Sequence, residues 1–134
     1  MNLSMNPWIV LVSAAALLFY IAACLTAARF RGKYGLPAPA MSGQPDVERA
    51  LRVQGNTLEW LVVFLPALWM FAPFWGAYLG AGLGVVWILG RILYMVGYLK
   101  AAESRKPGFL IQGVVIVILL SGDIAGAVRA LSAG

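Results

Sequence analysis

The longest uncharged stretch of the sequence, from Trp60 to Gly90, constrains the fold more than any other feature. It is too long for one membrane-spanning helix, because about 20 mostly apolar residues cross the hydrocarbon core of a bilayer. Turn-forming residues lie near its middle, at Pro73, Gly76 and Gly80. The stretch therefore predicts a hairpin of two membrane-spanning helices, each of which extends into its polar flank.

Two further apolar segments, Trp8 to Ala28 and Pro107 to Arg129, are each long enough for one span. The chain is 62% hydrophobic and 11% charged, more apolar surface than a soluble domain of its length could bury. We therefore expect one all-α domain covering residues 1–134, an integral membrane four-helix bundle, with the first span retained and not cleaved as a signal peptide. The spans are expected at about 7–29, 46–73, 76–104 and 107–130, with Asp46 as the N-cap of the second helix.

Basic residues concentrate in two of the predicted connections. The first connection and the start of the second helix carry Arg29, Arg31, Lys33, Arg49 and Arg52, and the last connection carries Lys100, Arg105 and Lys106. Because cytoplasmic loops are enriched in Lys and Arg, both connections should face the cytoplasm and both termini the opposite side. The net charge of +5 then reflects membrane orientation, and no nucleic-acid partner is expected.

Two sets of polar residues lie where the central hairpin should meet the cytoplasm. The first polar strip is Arg49, Arg52, Asn56 and Glu59, and the second polar strip is Arg91, Tyr94, Tyr98 and Arg105. Within each strip the residues recur at intervals of three, four or seven, so each strip occupies one helix face. A hairpin folded near Trp75 would place the two strips level with one another, Glu59 opposite Arg91.

The spacing leaves two interpretations open. In the first, Glu59 and Arg91 form an ion pair, other arginines reach lipid headgroups, and the tyrosines belong to an aromatic belt. In the second, the strips bind an anion that also carries one ammonium group, since arginine binds carboxylates through two parallel hydrogen bonds. A metal site is not expected, because the chain has no His and a single cysteine, Cys24.

The segments ERALRVQGNTLEWLVVFLPALW and GRILYMVGYLKAAESR resemble the signature of the membrane-associated proteins in eicosanoid and glutathione metabolism (MAPEG), which include microsomal glutathione transferases. The resemblance implies a homotrimer that binds glutathione between neighbouring protomers on the cytoplasmic side. It implies glutathione contacts from Arg52, Asn56, Glu59, Tyr94 and Tyr98, with Gln54 and Arg29 (or Arg31) reaching the site of the adjacent protomer. It places Arg105 at the thiol, as the catalytic residue.

The implied function is a membrane-bound glutathione transferase that conjugates glutathione to hydrophobic electrophiles from the bilayer, with peroxidase activity toward lipid hydroperoxides left open. The short loops and termini favour a bacterial inner-membrane protein. Lys106 stands where the prostaglandin-forming members have a serine, so that activity is not expected. Trp60 stands where the leukotriene-forming members have a tyrosine, and a bacterial protein is not expected to act on an eicosanoid substrate. Two rival functions remain, a non-catalytic lipid-binding scaffold and a small four-span transporter.

Asp123 bears on the transporter hypothesis and has no place in the family motif. A transporter needs a carboxylate within the membrane, and Asp123 is a candidate for that role. We otherwise expect it to make a buried polar contact with a neighbouring helix.

Overall fold

The computed structural model describes residues 5–134 and contains four long helices with one short helical turn. The helices are α1 (Pro7–Tyr34), α2 (Pro45–Trp75), α3 (Ala77–Lys100) and α4 (Lys106–Ala133), and a 3₁₀ turn (Ala102–Arg105) precedes α4. All four are long and apolar enough to cross a membrane. The expected all-α membrane four-helix bundle is therefore confirmed.

The α1–α2 connection is held by contacts between the ends of the two helices. Helix α1 continues to Tyr34, beyond the end of the expected span, and Gly35 ends it in a left-handed conformation with φ 65°. The hydroxyl of Tyr34 then donates to the carboxylate of Asp46, which also pairs with Arg49.

The prediction that Asp46 caps α2 is wrong. Gln44 is the N-cap, and its side chain accepts a hydrogen bond of 2.7 Å from the Asp46 backbone nitrogen. The physical reason is Pro45, which occupies the first helical position that proline favours and so places Asp46 inside the first turn. There its negative charge suits the positive end of the helix dipole.

Helices α2 and α3 meet at a single residue, Gly76, whose φ of 99° favours glycine. We call this end of the bundle the hairpin end; α1 begins there and α4 finishes there. The opposite end, with the α1–α2 connection and the 3₁₀ turn, is called the loop end. Contacts such as Trp8 with Tyr78, whose ring centroids lie 6.2 Å apart, hold the hairpin end together.

The buried core runs along the bundle axis and draws on every helix. It includes Ile9, Val12, Ala16, Leu61, Phe64, Leu68, Trp87, Val115 and Leu119. Phe64 stacks on Trp87 at 4.0 Å between ring centroids, and the Trp87 indole donates to Gln112 at 3.1 Å. Large apolar side chains such as Leu18, Val62 and Ile124 are exposed on the outside, as a bundle surrounded by lipid requires.

At the hairpin end α4 packs closely on α2. A Cβ on Gly122 would overlap the Phe71 ring, and the Trp75 indole donates to the Gly122 carbonyl oxygen at 2.8 Å. Asp123 is buried beside this contact, but neither of its carboxylate oxygens has a hydrogen-bond partner among residues 5–134. The contact expected from a neighbouring helix is thus not made by this part of the chain.

Candidate functional site

The loop end of α2 presents an ion pair within one helix. Arg52 and Glu59 lie two turns apart, and two hydrogen bonds of 3.1 and 3.3 Å join the guanidinium to the carboxylate. Their side chains are 51% and 57% exposed. An ion pair this exposed contributes little to stability, so both groups can exchange partners when a ligand arrives.

Arg91 lies inside the bundle at the same level. It is fully buried, and its guanidinium donates to the Asn56 side-chain oxygen at 2.9 Å and to the Thr57 hydroxyl at 2.7 Å. The guanidinium also lies 4.2 Å from the centroid of the Tyr94 ring. Since the Asn56 oxygen is occupied, its amide NH₂ group is left to donate to a ligand.

The ion pair between Glu59 and Arg91, one of the two interpretations of the sequence, is therefore not formed. Glu59 points outward and pairs with Arg52, whereas Arg91 points into the bundle. The reason is that Asn56 and Thr57, one turn earlier on α2, face the interior and offer neutral acceptors to the buried guanidinium.

The remaining polar groups come from α3 and from the 3₁₀ turn. Tyr94 is buried and Tyr98 half-buried, with their ring centroids 5.5 Å apart. The guanidinium carbon of Arg105 lies 5.4 Å from the centroid of Tyr98, and its NH1 group donates to the carbonyl oxygen of Ala102. The turn thus places a cation over a tyrosine ring at the loop end.

These groups surround a cavity of about 570 Å³, which we call the polar cavity. It is lined by Arg52, Asn56, Tyr94, Tyr98, Arg105, Lys106, Phe109 and Leu110. Three of these residues are cationic, which suits an anionic ligand. Among residues 5–134 no group of three or more His, Cys, Asp or Glu side chains could hold a metal ion.

An apolar groove continues from the polar cavity along α4. Its volume is about 450 Å³, and its lining is Trp60, Phe109, Leu110, Gly113, Val114, Ile116, Val117 and Ile118. Phe109 and Leu110 border both spaces, and the rings of Phe109 and Trp60 meet edge to face at 5.8 Å. A polar ligand and an apolar one could therefore lie side by side.

The structure brings together five of the eight site residues predicted from sequence: Arg52, Asn56, Tyr94, Tyr98 and Arg105. Glu59 joins them through Arg52. Arg29 is exposed and lines a separate cavity on α1 with Thr26, Phe30 and Lys33, and Gln54 does not line the polar cavity. Arg31, the alternative to Arg29, donates to the carbonyl oxygen of Ala40 in its own connection.

The apolar part of the lining, the cavity position of Lys106 and the role of Thr57 were not predicted from the sequence. Phe109 follows Arg105 by four residues, which places both on one face of α4 and its preceding turn, so this signal was present in the sequence. Thr57 carried no such signal, because it lies one position off the first polar strip.

Comparison with known proteins identifies the family. The sequence profile of the MAPEG family matches residues 8–122. Uncharacterized protein sll1147 from Synechocystis sp. is 47% identical over 117 residues, which cover 87% of this chain and 85% of that protein. Human microsomal glutathione S-transferase 2 is 36% identical over 101 residues, or 75% of this chain and 69% of that protein. Bovine leukotriene C4 synthase is 32% identical over 75 residues, or 56% of this chain and 50% of that protein.

The profile match spans both polar strips and all residues that line the polar cavity and the apolar groove. The protein is therefore an integral, multi-pass membrane protein that belongs to the MAPEG family, as its two motifs predicted.

Proposed function

We propose that the protein is a membrane-bound glutathione transferase that joins the glutathione thiolate to hydrophobic electrophiles from the bilayer. The observation that carries the proposal is the polar cavity, where α2, α3 and the 3₁₀ turn bring Arg52, Tyr98 and Arg105 together. The similarity to microsomal glutathione S-transferase 2 supports glutathione as the ligand.

Glutathione carries one ammonium and two carboxylates, and the cavity offers a complement to each charge. We expect the Arg52–Glu59 pair to open, so that Glu59 accepts from the γ-glutamyl ammonium and Arg52 donates to a carboxylate. The Asn56 amide and the hydroxyls of Tyr94 and Tyr98 would bind the peptide backbone. Each charge of the opened pair would then regain a partner.

The thiol would lie beside Arg105. A cation close to sulfur favours the thiolate, which is the nucleophile. A decrease of two units in the pKa of the thiol requires about 2.7 kcal/mol of preferential stabilisation of the thiolate. The chain has no His to act as a base, so this electrostatic activation suits its composition.

The second substrate would arrive through the apolar groove, which adjoins the polar cavity at Phe109. In conjugation the thiolate sulfur forms a bond to the electrophilic carbon. The bond between that carbon and the leaving group breaks, and its electron pair departs with the leaving group. With a lipid hydroperoxide, two glutathione molecules would instead reduce the peroxide to an alcohol and water and form glutathione disulfide. Both reactions begin with the same thiolate.

We further propose a homotrimer in which Gln54 and Arg29 complete the polar cavity of a neighbouring protomer. Neither residue lines the cavity of its own protomer, and Arg29 is exposed on α1. Arg31 suits this role less well, because its side chain is tied to Ala40. The positive loop end would face the cytoplasm of a bacterial inner membrane, with both termini on the opposite side.

The test is a glutathione titration of the purified protein in detergent, followed by ultraviolet absorption of the thiolate and by calorimetry. Saturable thiolate formation, followed by conjugation of an aryl chloride, is the expected result. Saturable binding without thiolate formation would indicate that the protein is a non-catalytic binding protein or scaffold. An absence of binding would refute the proposal, and proton-driven uptake assays on Asp123→Asn would then test the transporter hypothesis.

Substitution of Arg52 by alanine should weaken glutathione binding by about 10- to 100-fold. A hydrogen bond to a charged partner contributes about 1.5–3 kcal/mol, which corresponds to this change in Kd. Calorimetry measures the effect directly. Arg49→Ala is the matched control, because Arg49 lies on the same helix face but pairs with Asp46 outside the cavity. A similar loss in both variants would contradict a specific role for Arg52.

A further inference from the structure

Helices α3 and α4 meet backbone to backbone beside the polar cavity, and the contact depends on glycine. A Cβ on Gly108 would overlap the backbone nitrogen of Tyr94 and lie 2.6 Å from the carbonyl oxygen of Gly90. A Cβ on Gly90 would in turn lie 3.0 Å from the Gln112 nitrogen. Optimal separations between non-bonded carbon atoms begin at about 3.5 Å, so a methyl group at Gly108 requires the two helices to separate.

The 3₁₀ turn makes a second contact of this kind with α3. A Cβ on Gly97 would overlap the carbonyl oxygen of Ser104 and lie 2.8 Å from its carbonyl carbon. Because Ser104 directly precedes Arg105, the backbone that carries the Arg105 side chain is held against α3. The contacting atoms belong to the Ser104 backbone, so they cannot move aside by a side-chain rotation.

Two of these glycines, Gly97 and Gly108, are neighbours in sequence of residues that line the polar cavity. Gly97 precedes Tyr98, and Gly108 precedes Phe109. The guanidinium of Arg105 lies 5.4 Å from the ring centroid of Tyr98. The ring centroids of Phe109 and Tyr94 lie 6.2 Å apart. The width of the cavity between α3 and α4 is therefore set by how closely the two backbones approach.

We infer that Gly90, Gly97 and Gly108 are positioning residues that fix the distance between Arg105 and the sulfur of bound glutathione. The inference rests on the proposed function. Groups that bind the tripeptide lie on α2, such as Arg52, and on α3, such as Tyr98, whereas the thiol-activating cation Arg105 lies on the turn before α4. Separation of α4 from α3 should therefore weaken thiol activation more than binding, since a misplacement of about 1 Å can cost on the order of 100-fold in rate.

The experiment compares alanine variants of five glycines in the purified protein. Gly108→Ala and Gly90→Ala crowd the contact between α3 and α4, the second less than the first, and Gly97→Ala crowds the contact between α3 and the 3₁₀ turn. Gly82→Ala is a control on α3 whose added Cβ has no heavy atom within 4 Å, and Gly122→Ala is a control that overlaps the Phe71 ring at the hairpin end. The readouts are the pKa of bound glutathione's thiol, from thiolate absorption, and the affinity for S-methylglutathione, which has no thiol.

We expect the thiol pKa to rise by about one unit in Gly108→Ala and Gly97→Ala. At a pH below the wild-type pKa, the thiolate fraction should then be roughly tenfold lower than in the wild type. Gly90→Ala should show a smaller rise, and both controls should match the wild type. S-methylglutathione should bind within about threefold of the wild-type affinity in all five variants. That combination would not arise from a loss of stability, because alanine is a better helix former than glycine and Gly122→Ala crowds the same helix elsewhere.

An unchanged thiol pKa in the folded crowding variants would overturn the inference, as would an equal rise in Gly122→Ala. If Gly108→Ala fails to fold, the more weakly crowded Gly90→Ala decides between these outcomes. Failure of the proposed function is visible separately, because the wild type itself would then bind glutathione without forming thiolate or would not bind it.

Discussion

Replacement of Arg105 by alanine should raise the thiol pKa of bound glutathione by about two units, to the ordinary thiol value of about 8.5. The thiolate fraction at pH 7 would fall from about three quarters to about 3%, and conjugation at pH 7 by about 25-fold. The cause is the loss of a cation that lies over the Tyr98 ring at the edge of the polar cavity. Glutathione titrations at a series of pH values measure the pKa, and initial conjugation rates measure the loss.

The direction of the pH dependence distinguishes this explanation from general damage. The wild-type rate should level off above about pH 7, whereas that of Arg105→Ala should rise until about pH 9, where the two rates converge. Lys106→Ala is the matched control, because it removes a neighbouring cation from the same cavity lining. An Arg105→Ala deficit that stays constant from pH 6 to pH 9 would exclude thiol activation as the role of Arg105.

The sequence predicted the architecture well because membrane insertion imposes simple rules on it. The uncharged stretch from Trp60 to Gly90 had to fold back on itself, and the structure places the break at Gly76. The helix caps were less predictable. Asp46 and Gln44 both offer a side-chain acceptor, and the preference of Pro45 for the first helical position decided between them.

The candidate site was predictable as two helix faces but not as a set of partners. Spacing places Glu59 and Arg91 level with each other. It does not determine whether each side chain points toward the lipid or toward the interior of the bundle. That choice depends on the packing of all four helices, which buries Arg91 against Thr57 and leaves Glu59 for Arg52. The backbone contact at Gly108 was likewise invisible in the sequence, where glycines at regular spacing indicate only close packing.

Replacement of Arg91 by methionine should destabilise the folded protein by about 2–4 kcal/mol. The substitution leaves the Asn56 oxygen and the fully buried Thr57 hydroxyl without their donor, and each unpaired buried group costs about 1–3 kcal/mol. Removal of a buried charge offsets part of that cost. Unfolding in mixed micelles with a rising fraction of sodium dodecyl sulfate, followed by tryptophan fluorescence, measures the free energy.

A triple variant shows whether the unpaired groups are the cause. Arg91→Met combined with Asn56→Leu and Thr57→Val replaces all three polar partners with apolar groups, so none of these three positions keeps an unpaired buried polar group. We expect it to recover stability to within about 1 kcal/mol of the wild type, because removal of both partners of a buried hydrogen bond can be nearly neutral. Loss of Asn56 should at the same time weaken glutathione binding, since its amide lines the polar cavity. A triple variant no more stable than Arg91→Met would show that Arg91 stabilises the bundle through its contact with the Tyr94 ring and not through its hydrogen bonds to α2.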